Sequence, residues 1–146
     1  VTGKKIGLIG GGGAGSAIAD AIGEHRAAQL SLVEIDKLKS DTLLLKLQKQ
    51  YPALTLENNI SRPEEIDIVI NASPSGMNKN DLLPIDPYTF RSGIVIADSV
   101  TKPNFTPFLK SAKNNGCFIQ KGSEMADAQL PIFLDFLGTP PENSHV

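Results

Sequence analysis

The stretch KKIGLIGGGGAGSAIADAI, residues 4–22, sets four consecutive glycines between an apolar run and a segment of helical period. Lys5–Ile9 reads as a buried strand, and residues 14–22 carry apolar side chains at helical spacing. Each glycine inside a regular element costs about 1 kcal/mol relative to alanine, so four in a row need a reason. Gly10, Gly12 and Gly15 supply one, because they satisfy G-x-G-x-x-G at a strand-to-helix junction. In that setting the first glycine permits the tight turn, the second lets a pyrophosphate approach the backbone, and the third lets helix and strand pack closely. The helix start, with Gly13, Ala14 and Gly15, adds free N–H groups and partial positive charge for the phosphates.

Working outward, apolar runs alternate with helical segments. Strands are expected at 30–35, 53–56, 66–71, 93–97 and 117–120, and helices at 39–50, 106–115 and 126–137. Thr106 and Pro107 form an N-cap followed by proline at the first helical position. Residues 73–92 contain Pro74, Pro84, Pro87 and Gly76, too broken for one long helix, and long connections of this kind often carry function. Strands apolar on both faces, alternating with helices, predict an α/β, Rossmann-like doubly wound fold. Its sheet is mainly parallel and six-stranded, with helices on both faces. The domain is expected over 1–138, with a flexible tail over 139–146.

An acidic residue after the second strand would bind a free ribose diol. Glu34 lies at the expected interval after Gly15, with Asp36 close by. A carboxylate there accepts from the adenosine ribose hydroxyls and repels a 2′-phosphate, so NAD is favoured over NADP. Lys37 and Lys39 weigh the other way, although surface lysines are usually only solvated charges.

Composition narrows the rest. With 146 residues, 40% hydrophobic and 21% charged, the chain can bury a sizeable core. A net charge of −2 without basic clusters gives no footprint for nucleic acid or an anionic membrane. No apolar run is long enough to span a membrane. One cysteine, Cys117, excludes an internal disulfide and a cysteine-based zinc site, and fits a reducing, cytoplasmic compartment. No metal site is expected, and the partner is a small molecule.

Four motifs in order, "GGGGAGSAIA" (10–19), "NASPSGM" (71–77), "DSVTKPNFTPFL" (98–109) and "GSEMADAQ" (122–129), resemble the cofactor-binding half of the shikimate and quinate dehydrogenases. The family's forms are G-A-G-G-A-G, N-A-T-P-x-G-M, D-x-x-Y-x-P and G-x-x-M-x-x-x-Q. The resemblance implies that Asn71, Ala72 and Ser73 line the cofactor cleft and that Val100 lies against the nicotinamide. It also implies that the Gly122 backbone contacts the carboxamide and Met125 packs beside the ring. Gln129 would reach a ring-acid substrate, and Thr101 stands where the family has a substrate-facing Tyr. Glu124 replaces a frequent Gly, Ser73 a frequent Thr, and Ser16 a frequent Arg or Lys.

In the family, hydride transfer at a ring alcohol is assisted by a Lys and Asp pair on a preceding substrate domain, to which no segment of this chain corresponds. No catalytic residue is therefore expected here, and the chain alone should hold the cofactor without turnover. The apolar helix at 126–137 should then dimerise or move. Two other readings stand beside this one. The first is a stand-alone NAD-sensing module. The second is another reductase using Asp98, Ser99 or Lys102, although no Tyr-x-x-x-Lys pair is present.

Overall fold

The computed structural model describes residues 1–137, so the expected tail at 139–146 and the domain limit at 138 lie outside the described residues. The elements are β1 (Lys5–Ile9), α1 (Gly13–Glu24), β2 (Gln29–Val33), α2 (Lys37–Gln50), β3 (Thr55–Glu57), β4 (Ile68–Asn71), β5 (Val95–Asp98), α3 (Pro107–Asn114), β6 (Phe118–Gln120) and α4 (Gly122–Phe136). Short 3-10 turns at Pro63–Glu65 and Pro87–Thr89 punctuate the connections.

All six strands pair in parallel, in the order β3-β2-β1-β4-β5-β6. The Rossmann-like sheet expected from the alternating pattern is therefore present. Its strand order reverses between β1 and β4, so the loops that leave these two strands diverge and open a crevice at their carboxyl ends.

Alternate side chains explain the apolar runs. Ile6, Leu8, Leu30 and Leu32 pack with Ala19 and Ile22 of α1 and Leu43 and Leu47 of α2 on one face. Val69 and Ile96 point the other way and pack with Phe108, Leu109 and Ala112 of α3. A strand buried on both faces has no solvent side on which to place polar residues.

Several boundaries differ from the expected ones. β2 stops at Val33, which leaves Glu34 just beyond the strand, and β3 begins two residues late, at Thr55. α2 begins at Lys37 because Asp36 caps it, accepting from the Leu38 and Lys39 N–H groups. The largest shift is α4, which starts at Gly122 rather than at 126. Glu124 accepts from the Lys121 N–H at 2.9 Å and so closes the helix start earlier than apolar spacing suggests.

Candidate functional site: a glycine-lined crevice between β1 and β4

The two glycines that close the crevice do so by contact. Gly10 sits at φ +95°, and a Cβ placed there would lie 2.9 Å from the Ser73 nitrogen and 3.0 Å from the Ala72 oxygen. The loops after β1 and β4 therefore meet backbone to backbone. Gly15 faces the Gly10 carbonyl so closely that any Cβ would overlap it. Gly12 and Gly13 are different, because nothing lies within 4 Å of either Cβ position. No side chain caps α1 at Gly12, and its first turn carries no acid. This open N-terminus, with Ala14 in its first turn, is a cradle that a phosphate would fill.

Glu34 locks the opposite arm. Its Oε2 accepts from the Gly11 N–H at 2.6 Å, and its Oε1 accepts from the Asp36 N–H at 2.9 Å. The Asp36 and Gly11 N–H groups hold its carboxyl below the usual carboxylate range, against partial desolvation. A depressed carboxylate contributes fully above its unfolded value, and that contribution is lost as pH falls through the lowered one. At neutral pH Glu34 is thus a fixed negative charge beside the glycine loop. Asp36 is shared between the crevice and its capping role, and Lys39 Nζ lies 3.8 Å from its Oδ2.

These parts enclose a crevice of about 610 Å³. Glu34, Ile35, Asp36 and Lys39 form one wall; Ala72, Ser73, Pro74, Ser75 and Pro84 form the other, with Gly10 and Gly12 at the base. Ile35 is fully exposed on its wall, an apolar side chain without a partner.

Asn71 was expected in the cleft, but its side chain turns inward and is fully buried. Its Oδ1 accepts from Ser73 N and Ser73 Oγ, while its Nδ2 donates to the Ser75 carbonyl and to Asp98 Oδ1. It shapes the β4 loop from beneath. Asp98, its register partner on β5, also accepts from the Val100 N–H and from Thr106 Oγ1, the latter at 2.7 Å. With both oxygens engaged and 2% of its surface exposed, Asp98 is a structural anchor. The sequence reading missed this role, and the only signal was an acid closing an otherwise apolar strand.

The remaining expected residues form a second group beyond β5, and none of them lines the crevice. Val100 is buried, and the absence of a Gly122 side chain lets α4 start directly on the Val100 and Ser99 carbonyls. Met125 is half-buried, whereas Thr101 and Gln129 are exposed. Among the described residues no cluster of three His, Cys, Asp or Glu side chains could hold a metal, and no helix is long and apolar enough to cross a membrane.

No family model matches the chain. Among curated proteins it is similar to the shikimate dehydrogenase (NADP(+)) of Ignicoccus hospitalis, 32% identical over 123 residues, covering 84% of this chain and 45% of that protein. Solved structures that resemble it include the ligand-free 5-ketofructose reductase of a Gluconobacter species, with TM-score 0.85, 30% identity and coverage of 92% and 50%. The quinate dehydrogenase of Corynebacterium glutamicum in complex with NAD aligns with TM-score 0.79, 26% identity and coverage of 94% and 51%. The chain spans about half the length of the curated relatives it matches.

Proposed function

We propose that the chain is the dinucleotide-binding half of a member of the shikimate and quinate dehydrogenase family, the cofactor-holding part of an oxidoreductase acting on a ring hydroxyl of a cyclic carboxylic acid. The observation that carries this reading is the uncapped, open N-terminus of α1 beside an anchored carboxylate. The pyrophosphate is assigned to the N–H groups of Gly12, Gly13 and Ala14, and the adenosine ribose to Glu34. Adenine falls between Ile35 and the prolines of the facing wall. Val100, the Gly122 backbone and Met125 are assigned to the nicotinamide, and Gln129 and Thr101 to the substrate. When bound, the nicotinamide supplies or accepts the hydride.

No acid/base group among the described residues is assigned to the reaction. His25 bonds the Ala21 carbonyl at the far end of α1, and Asp98 is enclosed. The chain alone should therefore bind cofactor and leave shikimate and quinate unoxidised. The apolar side chains that α4 leaves uncovered support association through that helix.

Glu34 supports NAD as the preferred cofactor, although curated relatives are named for NADP(+). A 2′-phosphate would meet a carboxylate that two backbone donors hold ionised, with Lys39 already drawn towards Asp36. Calorimetric titration with NADH and NADPH tests this. NADH should bind more tightly than NADPH, by about tenfold or more, and E34Q should narrow the gap. Tighter NADPH binding by the wild-type chain would refute the preference. Absence of binding to either would refute the assignment of the crevice.

A further inference from the structure

The wall formed by Pro74, Ser75 and Pro84 comprises the two ends of one loop, and residues 76–83 between them have little apolar anchorage. Met77 and Leu82 are exposed. What closes the loop is a carboxylate: Asp81 Oδ2 accepts from both the Gly76 and Asn78 N–H groups at 3.0 Å, and the Asp81 N–H donates back to the Asn78 carbonyl at 3.2 Å. The Ser75 hydroxyl adds a tie to the Leu82 carbonyl. Gly76, at φ +103°, permits the turn around which the first of these bonds closes. The Asn78 N–H and, after it, the Gly76 N–H hold the Asp81 carboxyl below its ordinary range, so the tie is charged at neutral pH. Beneath the loop, the Asn71 amide fixes the Ser75 carbonyl.

We propose that Asp81 is a positioning residue for cofactor binding: by tying the loop across itself, it holds Pro74, Ser75 and Pro84 at the distance from Ile35 that admits an adenine ring. This rests on the dinucleotide reading of the crevice. Asp81 does not line the crevice, and it acts only through the wall. A flat ring between two apolar surfaces gains contact only if both are held still, since ordering a free loop on binding would consume part of that gain. The glycine loop meets this loop at Ala72 and Ser73, ahead of the tied residues, so its position should change little when the tie is lost.

The test compares wild type, D81A and D81N by calorimetry with ADP-ribose, together with amide exchange. D81A removes both carboxylate bonds and should raise the Kd about tenfold or more, since losing a single hydrogen bond to a charged group is already on that scale. D81N keeps an acceptor oxygen and should stay within about threefold of wild type, since a neutral acceptor retains part of the bond. The Gly76 and Asn78 amides should exchange faster in D81A while those of β1 stay protected. Should D81A fail to fold, D81S, which lacks the carboxylate that accepts from both N–H groups, carries the same expectation. Unchanged affinity in D81A would overturn the proposal, as would an equal loss in both variants with faster exchange throughout β1. A wild-type chain that ignores ADP-ribose would instead refute the cofactor reading and take this proposal with it.

Discussion

Gly10 and Gly12 stand two residues apart and answer to opposite constraints. Gly10 is held by the protein itself, at φ +95° with the Ser73 nitrogen 2.9 Å from where its Cβ would be. Gly12 has φ −72° and open space, so the fold would accept a side chain there. Gly12→Val should leave stability within about 1 kcal/mol, as for substitutions outside packed regions, and abolish dinucleotide binding. Gly10→Ala should cost about 2 kcal/mol or more through left-handed strain and overpacking. Urea melts paired with NADH titration separate the two, and a Gly12→Val variant that still binds would exclude a pyrophosphate from this loop. The roles of the glycines were legible because each depends on neighbours a few residues away. The double anchorage of Glu34 was not, because its partner Gly11 lies 23 residues back and is reached only once β1 and β2 pair.

At the scale of elements, capping explains which boundaries could be read. Thr106 before Pro107 announced α3, and its hydroxyl does accept from the Leu109 N–H at 3.2 Å. What the local pattern could not reveal is that the same hydroxyl donates to Asp98 and so ties α3 to β5. Thr106→Val should therefore cost more than a cap alone. Losing the cap contributes about 1 kcal/mol, and leaving a buried carboxylate oxygen unpaired adds about 1–3 kcal/mol. Chemical denaturation should show a loss of about 2–4 kcal/mol. A loss below about 1 kcal/mol would mean that water or another donor replaces the hydroxyl. The start of α4 was misplaced for a related reason. Glu124 closes the helix by accepting from the Lys121 N–H, a bond that leaves no apolar spacing to detect, and the seat of Gly122 against the Val100 carbonyl forms only once the chain is folded.

For the whole molecule, α4 is the element that the domain does not cover. Only Gly122 of its residues is buried, while Ile132, Phe133 and Phe136 are exposed, the last at 86%. Pro131 sits within it and removes one backbone bond from the helix that carries this surface. Light scattering over a concentration series should show self-association of the chain. A Phe133→Asp and Phe136→Asp double variant should stay monomeric at an unchanged melting temperature, since neither ring is part of the core. A strictly monomeric parent would count against association through α4. The sheet itself shapes how such association proceeds. Its two outer strands, β3 and β6, are only three residues each, so an approaching strand finds very few free amides and carbonyls on either edge. Crowded copies of this domain should therefore cluster through side chains, reversibly and without growing fibrils, and an amyloid dye added to a concentrated sample should stay dark.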